Sequence, residues 1–210
     1  MKQRQQFTFK YTIFAVPLLI GALGFLIGNF FDSNTPLGIP AASADSRYGI
    51  LGQPAPQLNL TDWIDGNGKK TETFRLSDYR GKVVYLYFFQ DWWPGCQRVG
   101  FPTLKKLTEE FKETDDVLFV AIQTVFEGYS TNTKAKLRKN QLKYDLEIRM
   151  AHAAGNHQTH DIPAIMRNYR SGGTPWTVII DPSGKVVYNN FHIEVKPAVA
   201  LINKLLSQKG

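Results

Sequence analysis

The chain has 210 residues, of which 43% are hydrophobic, 20% charged and 13% aromatic, a globular composition that excludes disordered, collagenous and low-complexity classes. Its one cysteine, Cys96, excludes a disulfide-stapled fold, a cysteine-rich zinc module and an iron–sulfur site, each of which needs several thiolates. The formal charge of +7 is spread over single or paired basic residues, and the one dense stretch (Lys134, Lys136, Arg138, Lys139, Lys143) carries no nucleic-acid motif, so it reads as a solvated helix face and no nucleic-acid partner is expected.

At the N-terminus, Lys2, Arg4 and Lys10 precede an uncharged run from Tyr11 to Phe31, and Asp32 follows at once. A run of that length can cross the roughly 30 Å hydrocarbon core as a helix. The basic flank stays in the cytoplasm, which places everything after residue 31 outside, facing the periplasm or the cell exterior. A signal peptide shares that topology, because Ala42-Ser43-Ala44 before Asp45 resembles a small-residue cleavage site. That site lies about a dozen residues past the apolar run, farther than cleavage normally tolerates. An uncleaved single-pass anchor is therefore favoured over a domain secreted after cleavage at Ala44. The organisation expected is a membrane anchor or signal segment over 1–31, a linker over 32–51 and one domain over 52–210.

The domain alternates strands and helices. Leu58-Asn59-Leu60 and Trp63-Ile64 predict a short strand before the hairpin signal Asp65-Gly66-Asn67-Gly68, with the return beginning at Phe74. Leu76 to Lys82 reads as a turn. Val83 to Phe89 is a continuous apolar run, as in a central strand buried on both faces. Val99, Thr103, Leu104, Leu107 and Phe111 recur at helical spacing, with Pro102 as a kink. Val117 to Thr124 is a second buried strand, Thr133 to Leu142 a basic helix, and Leu146-Glu147-Ile148 a short strand. Ile162 to Tyr169 forms a helix with Pro163 in its first turn. Trp176 to Ile180 and Lys185 to Asn190 form a hairpin through Asp181-Pro182-Ser183-Gly184. Ala198, Ile202, Leu205 and Leu206 mark a final amphipathic helix. The sum is an α/β sandwich with a mixed central sheet flanked by helices.

Between the central strand and the first long helix the chain reads Gln90-Asp91-Trp92-Trp93-Pro94-Gly95-Cys96-Gln97. This loop resembles the Cys-x-x-Cys loop of thioredoxin-like proteins, with Trp93 where the first cysteine belongs. Gly172-Gly173-Thr174-Pro175-Trp176 resembles the segment whose cis-proline faces the thiols in that superfamily, and Val178 to Val186 resembles its hairpin. Gly52-Gln53-Pro54-Ala55-Pro56 and Leu76 to Lys82 resemble the entry to the redoxin branch. That branch holds membrane-tethered thiol-disulfide oxidoreductases and peroxiredoxins of the alkyl-hydroperoxide-reductase and thiol-specific-antioxidant type. The resemblance implies a thioredoxin-like fold with no cofactor, and Cys96 as the catalytic thiol in the loop of Trp92, Trp93, Pro94 and Gly95. It also implies a substrate groove at Thr174, Pro175 and Trp176. The partners implied are protein thiols and disulfides or a hydroperoxide, with an external thiol as reductant.

The departures bear on chemistry. Trp93 removes the attacking thiol, so no internal disulfide can form. The proline and threonine of the peroxiredoxin pattern Pro-x-x-x-Thr-x-x-Cys fall on Phe89 and Trp93. Cys96 keeps a first-turn position, where helix N–H groups favour a thiolate; a buried, inert cysteine is the other reading. His152, His157 and His160 read as solvated loop residues in an inserted stretch, and no metal is expected. Trp92, Trp93 and Trp176 are expected to line a hydrophobic groove beside Pro175. Two functions remain: an oxidoreductase using Cys96 alone, and a redox-inactive binding module that keeps the groove.

Overall fold

The computed structural model describes residues 47–208. The expected anchor lies outside them, and among the described residues no helix is long and apolar enough to cross a membrane. The strands are β1 (Asp62–Ile64), β2 (Lys70–Thr71), β3 (Val83–Phe89), β4 (Val117–Val125), β5 (Arg149–Ala154), β6 (Trp176–Ile180) and β7 (Val186–Phe191). The helices are α1 (Phe101–Glu110), α2 (Ala135–Tyr144), α3 (Ala164–Asn168) and α4 (Val195–Ser207).

One seven-stranded sheet runs in the order β2-β1-β5-β4-β3-β6-β7. β3, β4 and β5 are parallel, and the outer pairings are antiparallel, the mixed sheet the sequence predicts. All seven residues of β3 are buried, as its unbroken apolar run requires. Alternation along it divides the core. Val83, Tyr85, Tyr87 and Phe89 pack with α1, α4 and Leu137 of α2, while Val84, Leu86 and Phe88 pack with α3, Trp63, Phe74 and Trp176.

Four local expectations are corrected. The return of the first hairpin is Lys70–Thr71, and Phe74 is instead a core residue stacked between Trp63 and Tyr79. Leu58 is buried but precedes the strand. Leu146-Glu147-Ile148 is a connection, and the strand is Arg149–Ala154, whose small alanines hide its pattern. Val99 faces solvent because Cys96–Gly100 forms a π-helical turn that rotates the face before α1 begins. Before residue 52, Gly49 donates its N–H to the Arg170 carbonyl at 2.9 Å and Tyr48 packs edge-on to Trp176.

Candidate active site

β3 ends at Phe89, and from the buried Gln90 the chain turns outward through Asp91, Trp92 and Trp93. The Gln97 N–H bonds the Trp93 carbonyl at 3.2 Å, closing the helical turn that carries Cys96. Gly100 is required here, because a Cβ at that position would run into the Tyr87 hydroxyl. That hydroxyl donates to the Cys96 carbonyl at 3.1 Å. Phe101, in contact with Tyr87 and Phe89 and stacked on Tyr144 at 4.5 Å, fixes the start of α1.

Cys96 is 0% exposed. Burial pushes its thiol pKa up, and hydrogen bonds from the Gln90 backbone, the Thr174 side chain and the Tyr87 side chain offset part of that effect. The first-turn position was expected to favour a thiolate; desolvation outweighs it, because the sulfur packs among the aromatic residues of the α1 layer.

Trp93 is 42% exposed. A Cβ on Gly95 would lie 2.9 Å from Trp93 Nε1 and 3.4 Å from Pro175 Cδ. The loop therefore faces the Thr174–Pro175 segment, whose peptide bond is cis. Trp176, expected in the groove, is 0% exposed. As the first residue of β6 it points into the opposite core, where its Nε1 donates to Asn189 Oδ1 at 2.6 Å. Phe191 is the exposed aromatic residue packed on it.

A buried polar scaffold behind the loop went unpredicted. Asn132 Oδ1 accepts the Asp91 N–H at 2.7 Å. Its amide donates to Gln90 Oε1 and to the Glu127 and Gly128 carbonyls at 3.2, 3.0 and 3.2 Å. From α2, Lys136 pairs with the Asp91 carboxylate at 2.6 Å and Asn140 donates to it at 2.9 Å. Lys143 and Tyr144 donate to Gln97 Oε1 at 2.6 and 2.7 Å. The basic stretch is thus more than a solvated face, since Lys136 and Lys143 reach the loop and Lys134 pairs with Asp62. A sequence signal existed in Asn140, a short polar residue inside a basic helix.

His152 belongs to β5, half-buried, with Nδ1 2.9 Å from Gln123 Oε1. Burial, and next the nearby Lys134, hold its pKa below the ordinary value. His157 and His160 are exposed on the loop beyond β5, and His157 packs on the Tyr129 ring at 4.8 Å. Among the described residues no three His, Cys, Asp or Glu side chains converge as metal ligands would.

Comparison with known proteins fits this frame. The thiol-disulfide oxidoreductase ResA of Bacillus cereus is 28% identical over 178 residues, covering 84% of each chain. Peroxiredoxin Bcp of Bacillus subtilis is 29% identical over 157 residues, covering 71% of this chain and 90% of its own. The crystal structure of a thiol-disulfide isomerase from Corynebacterium glutamicum superposes with a TM-score of 0.62 at 28% identity, covering 73% of this chain and 97% of the other. The fold is therefore thioredoxin-like, as the loop and the Thr-Pro segment implied. The AhpC/TSA family model matches residues 51–189, a span that takes in both the Cys96 loop and the cis-Pro segment facing it, and so the chain belongs to the AhpC/TSA family.

Proposed function

We propose that the protein is a membrane-tethered, extracytoplasmic oxidoreductase that exchanges disulfides through Cys96 alone. The observation that carries the reading is the approach of the loop to the cis Thr174–Pro175 segment at Gly95, next to the chain's one cysteine, where an added Cβ would lie 3.4 Å from Pro175 Cδ. An extended disulfide substrate held along that segment would lie beside Cys96. Cys96, as thiolate, attacks one sulfur of a substrate R–S–S–R′. The mixed disulfide Cys96–S–S–R forms, and R′S⁻ leaves and takes up the proton that Cys96 lost. An external thiol R″SH then attacks the substrate sulfur, giving R–S–S–R″ and restoring the Cys96 thiol. The peroxide branch is disfavoured because Trp93 stands where the pattern has its threonine and offers the reacting oxygen no hydroxyl. The tether is the run 11–31, and Lys2, Arg4 and Lys10 before it support the outward orientation of the domain. Protease added to intact spheroplasts digests a domain so placed; full protection rejects the topology.

The burial of Cys96 favours a second reading, a binding module that keeps the groove and has lost the chemistry. The alkylation rate of the folded protein against pH separates the two. A thiol that reacts in the native state and forms a mixed disulfide with an aromatic disulfide reagent supports exchange. A thiol that reacts only on unfolding supports the module.

A further inference from the structure

Tyr48, Trp92, Trp93 and Phe191, each between 40 and 46% exposed, are all the exposed large aromatic side chains among the described residues, and they form one strip. Tyr48 packs edge-on to Trp176 at 6.2 Å and touches Gly172, where an added Cβ would lie 3.2 Å from its ring. Phe191 packs on the same Trp176 at 4.7 Å and faces Gly173. Two residues on, Pro175 shares the contact at Gly95 with Trp93, whose ring lies 5.4 Å from that of Trp92. The strip thus crosses the cis-Pro segment and ends on the Cys96 loop. Tryptophan and tyrosine, apolar in body and polar at one edge, concentrate where membrane meets water.

Arg47 lies 5.9 Å from the Tyr48 ring centroid, and only residues 32–46 separate it from the end of the uncharged run at Phe31. Fully extended, that linker spans at most about 50 Å. Arg47 and Arg170 are exposed beside Tyr48, residues 47–210 carry 22 Lys and Arg against 16 Asp and Glu, a formal charge of +6, and Glu127 lies at the Trp92 end next to Gly128, so an anionic surface is attracted on balance. We propose that this aromatic strip docks on an anionic phospholipid bilayer, with Trp92 and Trp93 at headgroup depth. The Cys96 loop then serves thiols and disulfides carried in or at the same membrane. The inference rests on the membrane-tethered reading above.

The chain supplies its own probe. Its 4 tryptophans are Trp63, Trp92, Trp93 and Trp176; Trp63 and Trp176 are buried, and the run 11–31 has none. Full-chain protein is reconstituted in phosphatidylcholine–phosphatidylglycerol vesicles with brominated acyl chains. It should float with the vesicles and lose roughly half of its tryptophan emission relative to unbrominated vesicles, the share of two exposed indoles out of four. Trp92→Phe/Trp93→Phe should float equally and lose almost none. Flotation without quenching, with Trp92 and Trp93 still open to aqueous acrylamide, overturns the docking and leaves the tether standing; such a strip awaits a protein partner instead. Failure to float overturns the tether and the docking together.

Discussion

The active-site loop has two unlike sides. Toward α2, the loop residues Gln90, Asp91 and Gln97 are held by Asn132, Lys136, Asn140, Lys143 and Tyr144, with almost every polar group partnered. Toward Pro175, the side chains of Trp92 and Trp93 stand half in solvent, joined to the protein by ring contacts and by one side-chain hydrogen bond from Trp92 Nε1 to Gln90 Oε1 at 3.3 Å. The polar side fixes the path of the backbone and the aromatic side carries what a partner meets. A residue on the aromatic side can therefore change without the loop losing its shape, and this explains how a tryptophan can hold the place of an attacking thiol inside an intact frame.

Truncation should separate the two sides most sharply. Asn132→Ala strands the Asp91 N–H and removes the amide that bonds Gln90 Oε1 and the Glu127 and Gly128 carbonyls, so unfolding in urea should show a loss of about 3 kcal/mol, the range for buried polar groups left unpaired. Trp92→Ala should cost no more than about 1 kcal/mol, nearer the range of surface substitutions. Equal losses on both sides would break the comparison.

A smaller effect tests whether α2 grips the loop through charge. Lys136 and Asp91 keep 30% and 12% of their side-chain surface exposed, so the pair is neither freely hydrated nor fully desolvated. A double-mutant cycle with Lys136→Met and Asp91→Asn should return a coupling of about 1 kcal/mol, falling in high salt. A coupling near zero would assign the grip to Asn132 and Asn140.

The aromatic side was legible in the sequence and the polar side was not. Trp93 and Cys96 stand in a frame whose strand, turn and helix follow from hydrophobic pattern, and β3 and β6 were read with their observed bounds for the same reason. Gln90 and Asn132 look like loop-grade polar residues until the fold buries them together, since a hydrogen-bonded amide leaves no periodic trace. β5 was missed because Ala151, Ala153 and Ala154 carry too little side chain to show alternation, although Ala151 and Ala153 are buried. Adjacency to Pro175 in sequence suggests that Trp176 lines the groove, whereas alternation along β6 sends it to the other face.

Trp93→Cys sharpens the comparison further. The bond from the Gln97 N–H to the Trp93 carbonyl makes residues 93 and 96 neighbours on one helical turn, with Cβ atoms about 5–6 Å apart, a gap a small adjustment closes to disulfide range. Because Trp93 is 42% exposed, the reduced variant should lose less than about 1 kcal/mol, well below the penalty of a buried Trp truncation. Mild oxidant should remove both thiols from titration, and insulin-reductase activity with a dithiol donor should appear where the parent shows none. A folded variant whose thiols stay apart would show that the polar scaffold holds the turn in a shape unsuited to exchange, and would favour the binding module.

The smallest expected effect is a pH dependence, to which the polar side contributes through His152, whose partner Gln123 donates to Asn132 Oδ1 at 3.4 Å. His152 and His192 are both held below their ordinary pKa, chiefly by burial, so the unfolded chain binds protons more readily than the native one. Below the unfolded value of 6.5 unfolding takes up protons, and stability is lost as the pH falls toward the native values. The groups around His152 act in opposite senses, with Lys134 adding to the depression and Asp62 opposing it. His152→Gln, which keeps a partner for Gln123 and cannot titrate, should flatten the fall in urea midpoint between pH 7 and pH 5 and leave the part due to His192. The Trp92→Phe/Trp93→Phe variant, altered only on the aromatic side, should keep the parent slope. If its slope changes while that of His152→Gln does not, the two sides are coupled through Gln90, which touches both, and the division between a fixed scaffold and a replaceable surface fails.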